Sequence, residues 1–161
     1  LYARRQRQMC IRDRFNILVD PEAAKIVLSS GAKLVMMGLD VTHQAISTSE
    51  RLNTIHETGT TTGEYLVGLM GSLADLEIVK QKFPDGTPVH DAFVTAYLVD
   101  SSLTTGEVTN VEVEVDSELT LGQTVVDINH ISGRNKNVHW MNKVDDEKLF
   151  NIITNTSKLL P

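Results

Sequence analysis

The sequence predicts an α/β fold, in which helices pack on the faces of a sheet. Three observations support this prediction. A helical segment is followed closely by a continuous apolar run, Lys33 to Leu39, which suits a strand covered on both faces of a parallel sheet. Apolar and charged residues alternate from Val111 to Asp116, as in a half-exposed strand. The segment from Asp145 to Leu160 is amphipathic and predicts a terminal helix.

Residues that cap or end helices predict the bounds of the first secondary-structure elements. Residues 15–19 are predicted to form a strand or a loop. Asp20 is a plausible N-cap for a helix that begins at Pro21, where proline is favoured. Gly31 is the expected stop of this helix, and it precedes the strand of the apolar run.

The middle of the chain predicts three more helices. Ser47 and Glu50 have the spacing of a capping box. A longer helix is expected over about 62–82, where leucines recur at helical spacing, although two glycines weaken the pattern. The turn residues of "FPDGTP" follow, and a third helix is expected to start at His90 and Asp91.

The last third predicts strands and one helix. "VTNVEVEVDSE" is predicted as a strand with its valines on one face, and "QTVVDI" and "NVHWMNKV" are predicted as two more, separated by a loop around Gly133. The expected buried face of the terminal helix consists of Leu149, Ile152, Ile153 and Leu160.

Composition excludes several classes of protein. The 161 residues are 41% hydrophobic, which is enough for the core of one domain or of a piece of a larger one. The net charge of −6 argues against a general nucleic-acid binder, and no apolar run reaches the ~18 residues of a membrane span. The single cysteine, Cys10, forms no internal disulfide, so a reducing cytoplasm is the expected compartment.

The first fourteen residues differ from the rest. They contain five of the seven arginines and carry +4, which leaves −10 for residues 15–161 because the whole chain carries −6. A basic arm on an acidic domain can bind nucleic acid or an anionic membrane. The arm lacks apolar periodicity, however, and "RRQRQMCIRDR" is typical of translated adapter sequence. We therefore expect residues 1–14 to be a non-native or disordered arm on a truncated reading frame, and residues 15–161 to be a partial domain.

Three places along the chain are candidates for chemistry. His90 and Asp91 stand side by side at the predicted loop-to-helix junction. They are either a turn residue and a helix cap, or a proton donor beside a ligand for a hard cation. Asn16 is either a turn residue or a hydrogen-bonding partner for a polyhydroxylated ligand. Thr42 and His43 follow the strand of the apolar run, on the side where parallel sheets hold their sites, but they are equally compatible with a cap.

Four blocks in fixed order resemble the C-terminal half of the inosine/uridine-preferring nucleoside hydrolases, and the resemblance covers residues 15–161. The blocks are "FNILVDPEAAKIV", "GLDVTHQA", "TPVHDAFVTAYLVD" and "VEVEVDSELTLGQTVVD". The resemblance implies that the chain is the C-terminal portion of an open, mostly parallel sheet with flanking helices, which ends in short strands and an amphipathic helix.

The resemblance also implies an activity and roles for three residues. Family members hydrolyse the N-glycosidic bond of purine or pyrimidine ribonucleosides to ribose and free base, with a bound calcium ion. By this resemblance, Asp91 matches an aspartate that binds calcium. His90 matches the histidine that protonates the leaving base. Asn16 matches an asparagine that hydrogen-bonds the ribose. The implied partner is a nucleoside, with no nucleic acid and no membrane, and the full-length protein is a possible homo-oligomer.

The chain departs from the family pattern in three ways. The Asp-x-Asp-x-x-x-Asp-Asp cluster, which supplies most of the calcium ligands, is absent. Arg14 stands where the family has a glutamate before "FN". The helix before "FPDG" lacks the aromatic residues that contact the base in relatives. We therefore expect a calcium site that is incomplete in this chain, an inactive isolated chain, and open apolar faces that favour aggregation.

Two other functions remain open from the sequence. One is a non-catalytic ribose- or nucleoside-binding module that keeps Asn16. The other is an interaction protein that uses its basic arm.

Overall fold

A computed structural model describes residues 14–161 of the chain. The predicted basic arm, residues 1–14, therefore lies outside the described residues except for Arg14, which is the first residue of a helix. In the described part of the chain, no helix combines the length and apolar character that a membrane span requires.

Eight α-helices and seven strands are present within residues 14–161. In chain order they are α1 (Arg14–Val19), α2 (Pro21–Ser29), β1 (Leu34–Met37), α3 (Leu39–Thr42), β2 (Ile46–Ser47), α4 (Ser49–His56), α5 (Thr61–Ala74), α6 (Glu77–Lys82), β3 (Thr87–Pro88), α7 (Asp91–Val99), a 3₁₀ turn (Ser101–Leu103), β4 (Thr104–Thr109), β5 (Val111–Val113), β6 (Thr124–Val126), β7 (Val138–Val144) and α8 (Asp146–Lys158).

The strands form a mixed α/β arrangement, which confirms the predicted fold class. Strands β1, β7 and β4 make a three-stranded sheet in that order, and β1 pairs with β7 in parallel. Strand β4 runs antiparallel to β7, since Asn137 N donates to Thr109 O (3.0 Å) and Thr104 Oγ1 donates to Lys143 O (2.6 Å). The pairs β2–β3 and β5–β6 are separate antiparallel ladders. The expectation that β1 is covered on both faces is wrong, because Val35 is exposed.

Helix α2 has the predicted caps. The Asp20 side chain accepts a hydrogen bond from Ala23 N at 2.9 Å, Pro21 occupies the first turn, and Gly31 follows the helix with φ of 77°. The prediction of a strand or loop over 15–19 is wrong, since these residues belong to α1. The helix makes a long-range contact: a Cβ at Gly122 would lie 2.9 Å from Cα of Leu18, so glycine allows α1 to pack closely there.

Two helix boundaries also differ from the prediction. The helix expected over about 62–82 is divided into α5 and α6, because Leu76 adopts an extended backbone with ψ of 127°. The cap of α4 is Thr48 rather than Ser47, and its hydroxyl accepts from Arg51 N. The Ser47 hydroxyl is instead buried and donates to Thr87 O at 2.8 Å, across the β2–β3 ladder.

The strand predicted over "VTNVEVEVDSE" is divided at Asn110 between β4 and β5, and it ends at Val113 rather than continuing through Val115. The Glu114 carboxylate accepts hydrogen bonds from Asp116 N (2.8 Å) and Ser117 N (3.1 Å), which turns the chain. In α8, Leu149 is buried and Ile152 and Ile153 are half-buried, as predicted. Leu160 is exposed beyond the helix end, and Phe150 is buried, so the predicted face is wrong at Leu160 and omits Phe150.

The described chain divides into two compact units. The first comprises residues 14–40 and 106–142. Asn137 connects its elements: Oδ1 accepts from Val111 N (2.8 Å), and Nδ2 donates to Val111 O and to Leu28 O (both 2.9 Å).

The last aspartate of the "GQTVVD" block, Asp127, closes a loop by accepting from Ile131 N and from Ser132. These hydrogen bonds lower the pKa of Asp127, with Ser132 the largest cause.

The second unit comprises residues 41–105 and 143–161. Its core contains Ile55, Val89 and Phe150, with Leu66, Val67, Ala92 and Ile153 packed against them. Arg51 and Asp146 form an ion pair at 2.6 Å, and the Arg51 guanidinium lies over the Phe150 ring at 4.4 Å. These contacts join α4 to α8.

Each unit also exposes large apolar side chains. In the first unit these include Val19, Ile26 and Val27; in the second they include Tyr65, Leu98 and Val99. Exposed apolar surface of this kind is consistent with the expected tendency to aggregate, which stays a prediction.

A pH-dependent contribution to stability is expected at Asp100. Hydrogen bonds from Lys148 and Ser102 lower its pKa from 3.8 to about 2, and Lys148 Nζ lies 2.7 Å from its carboxylate. Because the pKa is depressed in the folded state, the ionised group stabilises the fold above about pH 4, and this stabilisation is lost as pH falls towards 2. Asp100→Asn should lower the urea midpoint at pH 6 and have little effect at pH 2.

The matched control is Asp75→Asn, because Asp75 pairs with Lys80 at 3.3 Å and is 83% exposed. Asp75→Asn should leave the urea midpoints at pH 6 and at pH 2 nearly unchanged. An Asp100→Asn effect of equal size at both pH values would contradict the assignment.

Candidate functional site

The candidate site is built around the start of α7. His90 is the N-cap residue of this helix but makes no side-chain capping hydrogen bond, and Asp91 is the first helical residue. Both residues are exposed. The interpretation that Asp91 caps the helix is therefore wrong. A carboxylate at this position is nevertheless favoured by the positive end of the helix.

Backbone pairing brings this junction to the segment that follows β1. Residues Ile46 and Ser47 pair with Pro88 and Thr87, and Val89 N donates to Ala45 O at 2.9 Å. The ladder thus holds the chain just before His90 alongside the chain just after His43.

Side chains of the two segments meet as a result. Thr42 Oγ1 lies 2.9 Å from His90 Nδ1, and Thr42 is only 3% exposed. The ring centroid of His43 lies 5.6 Å from that of His90 and 4.8 Å from that of Phe83, with an edge-on geometry to Phe83. The Lys82 ammonium lies 4.9 Å from the centroid of the Phe83 ring.

The surroundings of His90 change its titration. Desolvation is the largest cause and lowers the pKa of His90 below 6.5; the Asp91 carboxylate opposes this effect and Lys82 reinforces it. The ring is therefore mostly neutral at pH 7, and its protonated form is a stronger acid than ordinary imidazolium. Such a group is chemically suited to give a proton to a leaving group.

Asn16 lies in α1 and is exposed. It belongs to the first unit, whereas His90 and Asp91 belong to the second. Its role in binding ribose stays a prediction.

The described residues do not fit a complete calcium site. Among residues 14–161, no three His, Cys, Asp or Glu side chains form a group that could hold a metal ion. Calcium takes about 6–8 oxygen ligands, and Asp91 offers at most two. Asp91 can therefore contribute to such a site but cannot build it.

Sequence reasoning located part of this cluster. Thr42 and His43 were candidates because they follow a parallel strand, and the structure brings both to His90. Phe83 was not predicted. The available signal was its place at the start of "FPDGTP", directly before the turn that leads to the junction.

Comparison with known proteins identifies relatives of this chain. Residues 12–151 match the sequence profile described as inosine-uridine preferring nucleoside hydrolase. The inosine-uridine preferring nucleoside hydrolase of Crithidia fasciculata is 32% identical over 139 residues, covering 86% of this chain and 44% of the relative. A probable ribonucleoside hydrolase of Dictyostelium discoideum is 35% identical over 148 residues, covering 88% of this chain and 43% of the relative.

Solved structures agree with these matches. The purine-preferring ribonucleoside hydrolase from Gardnerella vaginalis superimposes with a TM-score of 0.73 at 28% identity, covering 89% of this chain and 46% of that protein. A plant nucleoside hydrolase gives a TM-score of 0.74 at 25% identity, with the same coverage. The chain thus spans slightly less than half the length of the relatives it matches. On the extent of the sequence match and the shared fold, it belongs to the inosine-uridine preferring nucleoside hydrolase family.

Proposed function

We propose that this chain is part of a ribonucleoside hydrolase, in which it supplies the proton donor and one metal ligand. The observation that carries the proposal is the junction at the start of α7, where an exposed imidazole and an exposed carboxylate lie side by side in a chain of this family. Curated relatives are named as inosine-uridine preferring and as pyrimidine-specific nucleoside hydrolases. Inosine and uridine are therefore the substrates to test.

The proposed reaction is hydrolysis of the N-glycosidic bond. The bond from C1′ to the base nitrogen breaks, the oxygen of water joins C1′, and the base leaves as a neutral molecule after taking a proton. His90 is the proposed donor of that proton, because a base that departs as a bare anion is a poor leaving group. Asn16 is proposed to hydrogen-bond the ribose hydroxyls.

Calcium is proposed as the metal of the complete protein, with Asp91 as one of its ligands. The other ligands are not found among residues 14–161, so we propose that the isolated chain does not turn over nucleosides. The isolated chain retains Asn16, and weak nucleoside binding without hydrolysis would support the alternative of a binding module.

A chimera tests the proposed activity. The part of the Crithidia fasciculata relative that this chain does not cover is joined ahead of residues 15–161, and release of base from inosine and uridine is measured in calcium. We expect hydrolysis by the chimera and none by the isolated chain. Turnover by the isolated chain at ordinary enzyme rates would refute the proposed inactivity.

His90→Ala in the chimera should lower kcat roughly 10²–10⁴-fold, the usual contribution of a positioned acid. The loss in kcat should be larger for inosine than for a nucleoside whose leaving group departs readily without a proton. The control is His130→Ala, because His130 is exposed and pairs with Glu107 at 3.0 Å in the first unit. Equal rates in the His90→Ala variant and the unmodified chimera would remove His90 from the mechanism.

A further inference from the structure

The ring of His90 has a buried hydrogen-bonding partner on a different segment of the chain. Thr42 is the last residue of α3, and its Oγ1 lies 2.9 Å from Nδ1 of His90. Thr42 is 3% exposed, whereas His90 is exposed. Nδ1 of the ring thus has a buried hydroxyl as its partner, although the His90 residue as a whole is exposed.

Backbone hydrogen bonds join the segment that carries Thr42 to the segment that carries His90. Ala45 N donates to Thr42 O at 3.2 Å, and Val89 N donates to Ala45 O at 2.9 Å. The β2–β3 ladder continues this pairing away from the site. The segments that carry the Thr42 hydroxyl and the His90 ring are thus joined by backbone pairing, the kind of support that a contact in a catalytic site requires.

A hydroxyl can serve a histidine nitrogen in both of its protonation states. It can donate to an unprotonated Nδ1 and, after rotation of its proton, accept from a protonated one. A carboxylate partner accepts only, and so favours the charged ring or a proton on Nδ1. Thr42 can keep the ring in one orientation whether His90 holds one proton or two, as a residue that loses and regains a proton requires.

We propose that Thr42 is a positioning residue for His90: its hydroxyl holds the ring through Nδ1, donating to it in the neutral imidazole and accepting from it in the imidazolium, so that Nε2 of the charged ring can carry the proton that a leaving base takes. The catalytic meaning of this contact rests on the proposed function. The contact itself and the ring tautomer are properties of the isolated chain.

The test is nitrogen-15 NMR of the isolated chain at pH 8.5, where the ring is neutral. Long-range proton–nitrogen spectra separate a protonated from an unprotonated ring nitrogen and so report the tautomer. The chain and three variants are compared: Thr42→Val, which replaces the hydroxyl with a methyl group; Thr42→Ser, which keeps the hydroxyl; and Thr95→Val. Thr95 is the matched control, since it lies on α7 and its hydroxyl donates to Asp91 O rather than to His90.

We expect the Nε2–H tautomer of His90 in the chain, in Thr42→Ser and in Thr95→Val. In Thr42→Val the Nδ1–H fraction should rise roughly three- to tenfold, the ratio set by one ordinary hydrogen bond. If Thr42→Val loses its folded spectrum, Thr42→Ala removes the same hydroxyl and is expected to give the same shift. A His90 tautomer that is unchanged on loss of the hydroxyl, or a proton on Nδ1 in the unmodified chain, would overturn the proposal.

This test is independent of turnover. If the chimera fails to hydrolyse nucleosides while the tautomer responds to Thr42, the proposed function fails and the contact stands. If the chimera is active and depends on His90 but the tautomer ignores Thr42, the positioning role fails and the function stands.

Discussion

Asp91→Ala is expected to abolish nucleoside hydrolysis by the chimera described above. The proposed role of this carboxylate is to bind the catalytic metal ion, and metal-ion catalysis is worth several kcal/mol. Since each 1.4 kcal/mol is a factor of ten, the rate should fall by about 10³ or more. Asp91 is exposed at the first position of α7 and is not the cap of that helix, so its removal should have little effect on folding.

Calcium binding is the second measurement for this variant. Titration calorimetry of the chimera should show tight binding, and Asp91→Ala should weaken it by at least roughly 10-fold. Asp85→Ala is the control, because Asp85 is an exposed carboxylate in the turn before β3. Retained activity and retained calcium affinity in Asp91→Ala would exclude the residue as a ligand.

Phe93→Ala is expected to destabilise the chain by about 3–5 kcal/mol. The Phe93 side chain is fully buried, and its backbone N–H donates to His90 O at 3.1 Å in the first turn of α7. Its removal leaves a cavity under the helix whose first turn presents His90 and Asp91. Because small domains are stable by only about 5–15 kcal/mol, this loss removes a large share of the total stability.

Urea denaturation of the isolated chain measures the effect. The control is the neighbouring Val94→Ala, since Val94 lies on the same helix and is 47% exposed. Its midpoint should change little. If Phe93→Ala were as stable as Val94→Ala, the described packing of α7 would be wrong.

The sequence predicted the fold where local signals and burial agree. Helix α2 has the expected cap, first proline and terminal glycine, so three local preferences point to the same boundaries. Strand β1 was predicted from its apolar run as a strand of a parallel sheet, and it pairs in parallel with β7.

The predictions failed where distant contacts decide the structure. Residues 15–19 are mostly apolar without a clear period, and their helix packs at Leu18 against Gly122, about a hundred residues away. The division between α5 and α6 lies at Leu76, which fits a continuous helical pattern but adopts an extended backbone. The local sequence predicts neither the helix over 15–19 nor the break at Leu76.

The candidate site was likewise predicted only in part from the sequence. His90 and Asp91 were found because they are polar residues at a loop-to-helix junction and match a family motif. Thr42 stood out only as a residue after a parallel strand. Its contact with His90 requires the β2–β3 ladder, and strands of two residues leave almost no periodic signal.

The most direct test of the central claim is a crystal structure of the chimera with calcium and a bound nucleoside or unreactive analogue. We predict an Asp91 carboxylate oxygen about 2.3–2.6 Å from the ion, as for any calcium ligand. His90 Nε2 should lie within hydrogen-bonding distance of the base, with Nδ1 still on Thr42. A calcium ion and a nucleoside bound in a complete site, with His90 and Asp91 directed into solvent away from both, would contradict the account.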